Sequence, residues 1–281
     1  MSLLHSVFSF GASRSAIWRL WYPYVTRRLQ GEEVMFLNYG FETDPPMGLT
    51  LLPADEPNRA CIQLYHHVAT QVELTGRHVV EVSCGHGGGA AYLARTLRPA
   101  TYTGIDLNPA GIALCEQRHQ VEGLSFFRGD AEALPFASAT VDVVINIEAS
   151  HCYGRFPQFL SEVSRVLRPG GHFLYADFRF SAERPAWELA LARAPLQVIS
   201  GQVISLDVLR GLEMNAARSL DLINRKLPKW LHGLGRDFAG IPGSFVYRAL
   251  QGSRAVYHAY CYQKPIAGTA SGLPAMGTKF T

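Results

Sequence analysis

Two hydrophobic rhythms run along the chain, and each change from one to the other marks an element. Short apolar runs closed by turn residues read as buried strands: VVEV from Val79, then 101–105, 124–127, 141–147 (VDVVINI) and 172–176. Helical periodicity fills the gaps between them. Residues 58–74 place Cys61, Leu64, Tyr65 and Val68 on one face, and further helices are predicted over 90–97, 108–119 and 156–167. Asn108-Pro109 is a cap and first-turn pair, and Arg168-Pro-Gly-Gly171 is a strong stop. From 181 to 240 the pattern turns helical with no β-rich run. Residues 245–250 and 255–262, joined by Gln-Gly-Ser, predict a hairpin.

Strand–helix alternation up to residue 177 predicts an α/β fold: a doubly wound, mainly parallel, seven-stranded sheet with helices on both faces. The chain then divides into an N-terminal helical or lid segment (1–60), a core (61–180), a helical cap after strand five (181–240) and a sheet-completing hairpin (241–264). A Gly/Pro/Thr/Ser-rich tail (265–281) is expected to be disordered. Ligands of such sheets bind beyond the C-terminal strand ends. The glycine turn after Val82, Asp106, Asp130, the stretch from Asn146 to Tyr153, and Asp177 all fall at those ends.

Gly85, Gly87, Gly88 and Gly89 stand where the first strand hands over to a helix, and glycine lets backbone approach a ligand closely. Asp106 ends the next strand, at about the spacing from which a carboxylate accepts ribose hydroxyls. A nucleoside cofactor is therefore expected. Gly85-x-Gly87-x-x-Ala90 also fits a dinucleotide fingerprint, but about 77 residues precede the strand that leads into it and no nicotinamide-type catalytic set is visible.

Composition narrows this little. Of 281 residues, 48% are apolar and 17% charged, enough for a core, and the net charge of +3 does not argue for nucleic acid. Five scattered cysteines without a CxxC read as reduced thiols, and no run of about 18 apolar residues could span a membrane, so a cytoplasmic protein is expected. The arginines at 14, 19, 27 and 28 alternate with Trp18, Leu20, Trp21, Tyr22 and Tyr24. Such a helix either packs its aromatics on the core or over the cofactor mouth, or grazes the inner membrane face.

The runs EVSCGHGGG, YTGIDLN, GDAEALPF and VLRPGG resemble, in order, the motifs of class I S-adenosylmethionine-dependent methyltransferases, whose fold is Rossmann-like. A narrower resemblance covers nearly the whole chain. RLWYPYVTRRL, DEPNRACIQLYHHVATQ, EASHCY and YRALQGSRAVYHAYCY are similar to the mycobacterial phthiotriol/phenolphthiotriol dimycocerosate O-methyltransferases and related glycolipid and glycopeptidolipid enzymes. The resemblance implies S-adenosyl-L-methionine as cofactor, S-adenosyl-L-homocysteine as product, and a lipid or glycolipid hydroxyl as acceptor. It implies cofactor contacts at Ser83, Gly85, His86, Gly87, Asp106, Leu107, Asp130, Ala131 and Asn146. Tyr39, in the aromatic segment before the core, is expected to close over the cofactor.

Methyl transfer to an alcohol needs acceptor oxygen, methyl and sulfur in line, and a group that takes the proton. His151, just past strand four, is the candidate base; Asp177 would orient it, and Glu148 would hold the acceptor hydroxyl. The alternative is that His151 only caps the next helix. His86 is expected to shape the glycine turn, while His66 and His67 share a helix surface. Phe178 and Arg179 follow Asp177, so a second adjacent carboxylate is missing and no metal is expected. Alternatives are transfer to a sugar or fatty-acid oxygen, or to carbon, and a protein that binds cofactor or lipid without catalysis.

Overall fold

The computed structural model describes residues 11–29 and 34–266, with side chains of the first helix from Leu20 onward. The expectation for the tail beyond Ile266 lies outside the described residues. Helix α1 (Gly11–Arg28) leads through an extended strap, 34–42, to α2 (Arg59–Ala69). Then follow β1 (His78–Val82), α3 (Gly88–Leu97), β2 (Thr101–Asp106), α4 (Pro109–Arg118), β3 (Leu124–Arg128), β4 (Val141–Ile147), α5 (Phe156–Val166) and β5 (Leu167–Phe180). The C-terminal part is α6 (Arg184–Arg193), β6 (Gln197–Val203), α7 (Ser205–Lys226), α8 (His232–Phe238), α9 (Phe245–Gln251) and β7 (Ala255–Gln263).

The seven strands form one sheet in the order β3-β2-β1-β4-β5-β7-β6. β1 to β5 pair in parallel, and β7 runs antiparallel between β5 and β6. The order reverses at β1, and the crevice that such a switch creates lies beyond the C-terminal ends of β1 and its neighbour β4. Each sheet face has its own core. Val79, Ile145 and Leu174 pack with α2, α3, α7 and α9, while Val80, Val144 and Phe173 pack with α5 and α6. α2 meets α3 closely because Gly89 has no side chain: a Cβ there would lie 1.9 Å from the Tyr65 ring. Among the described residues no helix is long and apolar enough to cross a membrane.

The C-terminal part departs from the sequence reading in two places. The arm 245–250 is the helix α9, not a strand: Ser244 caps it by accepting the Tyr247 N–H, and Val246, Tyr247, Ala249 and Leu250 bury one helical face. The partner of β7 is instead β6, inside the stretch expected to be all helical. β6 is an edge strand with Val198, Ile199 and Val203 more than half exposed, so burial leaves no period-two pattern in its sequence. β5 is also longer than expected. It takes in the Arg168-Pro-Gly-Gly171 stop, which ends α5, and its pairing with β4 shifts register there.

Candidate active site

A cavity of about 400 Å³ opens at the C-terminal ends of β1, β2 and β4. Its floor is the turn after β1, where Ser83, Gly85 and Gly87 all adopt left-handed backbone, with φ of 62°, 57° and 78°. The turn is held by Asp106. The Gly85 N–H donates to Asp106 Oδ2 at 3.0 Å, and the Asn108 N–H donates to Oδ1 at 2.8 Å. Burial pushes the Asp106 carboxyl up to about 6. An ionised carboxylate offers about four acceptor sites. Two protein donors therefore leave capacity for the hydroxyls of a ribose.

Leu107, Asp130 and Ala131 line the same cavity, with Ser83, Gly85, His86 and Glu148. Asp130 is set by its own turn, accepting the Glu132 N–H at 2.9 Å. His86 is held at both ring nitrogens. Nε2 lies 2.9 Å from Thr26 Oγ1 of α1, and Nδ1 lies 2.9 Å from the Val34 carbonyl. Asn108 Nδ2 donates to the same Thr26 hydroxyl at 3.0 Å. The network ties α1 and the strap over the glycine turn, and α1 contributes Tyr22 and Pro23 to the cavity wall. Thr26 was not expected at the site, whereas Tyr22 is one of the helix aromatics expected on the core or over the cofactor mouth.

Three expected cofactor contacts lie elsewhere. Gly87 faces away from the cavity, where a Cβ would meet His119, Cys115 and Phe126. Asn146 is fully buried beneath the turn, donating to the Val82 carbonyl and to Tyr153 Oη. Tyr153 in turn lies 2.7 Å from Ser83 Oγ and does line the cavity. Tyr39 turns its ring onto Phe178, 5.6 Å between centroids, while strap residues Phe36, Leu37 and Asn38 take the wall instead.

Of the three candidate catalytic residues, only Glu148 touches the cavity. It closes β4 in a left-handed conformation, φ 52°, an uncommon geometry for a residue with a side chain. Its oxygens accept the Tyr39 N–H at 3.0 and 3.1 Å, and Tyr257 Oη donates to Oε2 at 3.0 Å. Burial pushes its carboxyl up to about 8. His151 and Asp177 are paired, Nδ1 to Oδ1 at 2.8 Å, and the imidazole packs on Phe178 with centroids 4.6 Å apart. The ring does not line the cavity; the next residue, Cys152, does.

Asp177 has no exposed surface and takes hydrogen bonds from Ser150 Oγ and the His151 backbone N–H, with the Arg179 guanidinium 3.0 Å away. Burial alone would raise its carboxyl, but Arg179 and His151 hold it well below the ordinary range. His151 shows the reverse. Burial opposes its charge, yet Cys152 and the Asp177 carboxylate lift it to about 10. His66 and His67 are remote from this chemistry: His66 bonds Tyr92 Oη, and His67 stacks on Phe41. Among the described residues no three His, Cys, Asp or Glu side chains are placed to hold a metal.

A methyltransferase-domain family model matches residues 80–175. The chain is 53% identical over 264 residues to the phthiotriol/phenolphthiotriol dimycocerosates methyltransferase of Mycobacterium leprae, covering 93% of this chain and 98% of that one. It is 50% identical over 247 residues to the fatty-acid O-methyltransferase of Mycolicibacterium smegmatis, covering 88% and 89%. Among solved structures, the cyclase SpnF superposes with a TM-score of 0.67 over 88% of this chain and 95% of that one, at 19% identity. That likeness carries the fold alone; the activity rests on the closer relatives. The chain belongs to the class I S-adenosylmethionine-dependent methyltransferases, in the family of these mycobacterial enzymes.

Proposed function

We propose that the protein methylates a hydroxyl of a lipid or glycolipid of the mycobacterial cell envelope. The relative 53% identical to it is named for a lipid of that kind. The observation that carries the reading is a juxtaposition at the strand ends: the Asp106-clamped turn and Glu148 share one cavity with Cys152, the chain neighbour of the Asp177-paired His151. S-adenosylmethionine, when bound, supplies the electrophilic methyl and a sulfonium charge that disfavours a neighbouring imidazolium.

The chain's own residues divide the remaining work. Asp106 would hold ribose hydroxyls of the cofactor, and Leu107, Asp130 and Ala131, which line the same cavity, would hold its base. Glu148 holds the acceptor hydroxyl, and His151, oriented by Asp177, takes the proton. Because the imidazole does not line the cavity, this step requires the 150–152 turn to shift as acceptor enters; catalytic contacts commonly tighten only then. The test is methyl transfer from labelled cofactor by His151→Ala and Asp177→Asn. Turnover should fall at least about 100-fold while S-adenosylhomocysteine still binds, as removal of an acid–base group implies. Retained turnover in both would remove the base assignment, and no transfer by the wild type would favour a binding protein.

The fatty-acid O-methyltransferase relative favours one second reading, transfer to a carboxylate oxygen. A screen of long-chain diols against fatty acids separates the two. Peripheral membrane contact belongs to the same proposal. Leu20 of α1 is 77% exposed on the same helix as exposed Arg27 and Arg28. Leu20→Asp combined with Arg27→Glu should weaken binding to anionic vesicles; unchanged binding would sink the membrane contact.

A further inference from the structure

The stretch 222–236, from the end of α7 into α8, carries Arg225, Lys226, Lys229 and Arg236 and no acid. The acids that bound it are engaged elsewhere. Asp221 pairs with Arg225 at 2.8 Å, and the buried Asp237 accepts the Phe245 N–H. In the middle stands Trp230, 80% exposed on a short helical turn, Lys229–Leu231. The turn is well fixed: the Leu231 N–H donates to the Pro228 carbonyl at 2.8 Å, and His232 Nε2 lies 2.9 Å from the Leu227 carbonyl. Leu231 is buried, so the neighbouring indole is held outward, flanked by exposed Lys229 and Arg236. An indole left in water adds almost nothing to the core. Its apolar body and polar N–H, set among cations, suit the headgroup zone of a lipid surface.

α1 lies alongside. Trp21 and Tyr22 meet Phe238 of α8 edge-on, with centroids 5.9 and 5.6 Å apart. A second cavity, of about 150 Å³, is lined by Trp21, Val25 and Arg28 of α1 and by Lys226 of α7. The basic end of α1 therefore adjoins the basic end of α7. We propose that Trp230, with Lys229 and Arg236, anchors the protein on an anionic lipid surface, its ring seated among the headgroups. The local charge selects an anionic partner, and the outward indole selects one with an apolar interior. The inference rests on the peripheral-contact reading of α1 and adds the element that inserts.

The test is co-sedimentation of the full chain with vesicles of phosphatidylcholine alone and of phosphatidylcholine mixed with phosphatidylglycerol. The wild type should bind the mixed vesicles more tightly. Trp230→Ala should weaken that binding about 10-fold, as half-burial of an aromatic side chain implies. Lys229→Gln and Arg236→Gln should each weaken it about 5-fold, as one cation near an anionic surface implies. Mixed vesicles with brominated acyl chains should quench the fluorescence of the wild type more than that of Trp230→Phe, which separates insertion from contact by charge alone. S-adenosylhomocysteine should bind all the variants alike and shows that they are folded. Failure of the wild type to bind mixed vesicles would overturn the membrane contact as a whole. Binding unchanged in Trp230→Ala and in both charge variants would overturn the anchor and leave the contact to α1. Equal quenching of the wild type and Trp230→Phe would also overturn it. So would equally tight binding to polyglutamate that Trp230→Ala abolishes, which would assign the turn to an acidic protein.

Discussion

The His151–Asp177 pair links function to stability in a way that equilibrium unfolding can read. An unfolded histidine titrates near 6.5, and in the fold His151 is lifted to about 10. A group raised in this way contributes stability that is complete below 6.5, declines between 6.5 and 10, and is gone above 10. At pH 7 about three pH units of the shift remain, or about 4 kcal/mol at 1.36 kcal/mol per unit. Stranding a buried charge outright costs about 3–5 kcal/mol, which is an upper bound here because Arg179 stays beside the fully buried Asp177. The perturbation is His151→Gln, which keeps a donor for Asp177 but cannot be charged.

Urea unfolding of both proteins at half-unit steps from pH 6.5 to 10.5 isolates the contribution, since other titrating groups cancel in the difference. The gap should be about 4 kcal/mol near pH 7 and should close by pH 10. A gap that stays constant across the window would refute the coupling, and with it the argument that Asp177 holds an imidazolium in the free protein.

Asp106→Asn should weaken S-adenosylhomocysteine about 10- to 100-fold by titration calorimetry, because hydrogen bonds to a charged group are worth about 1.5–3 kcal/mol. Thr26→Val, which removes the hydroxyl joining His86 and Asn108, should lower cofactor affinity by up to about 10-fold with the core intact, and near-UV circular dichroism checks the fold. Glu148→Gln should abolish methyl transfer yet be at least as stable as wild type above pH 8. The Glu148 carboxyl, raised to about 8, favours folding only while protonated, and an amide cannot ionise. Thermal melts at pH 6 and 9 check the sign: the variant should gain on the wild type as pH rises.

Much of the donor half of the site is legible in the sequence because it depends on local rules. A short apolar run, a turn that needs left-handed backbone and a carboxylate at the next strand end are readable in one pass, and Ser83, Gly85, Asp106, Asp130 and Glu148 converge as that pattern implies. What escaped depends on contacts distant in sequence. Thr26 matters only because α1 crosses the turn 60 residues later. Tyr39 was singled out as the aromatic of its segment, but its backbone N–H is bound to Glu148, which turns the ring toward Phe178 and leaves the wall to Phe36. β6 was missed because an edge strand with both faces wet obeys no burial pattern, and α9 because FVYRAL is rich in residues that strands also favour.

α1 walls both cavities, through Tyr22 and Pro23 on one side and Trp21 and Val25 on the other. Whatever ordering of that helix one ligand requires is then already complete when the other arrives. Such coupling is reciprocal: a ligand of one cavity and a ligand of the other change each other's affinity by the same factor. The consequence is measurable: any ligand of the second cavity that alters S-adenosylhomocysteine affinity must have its own affinity altered by the same factor, which calorimetry of each in the presence of the other reads.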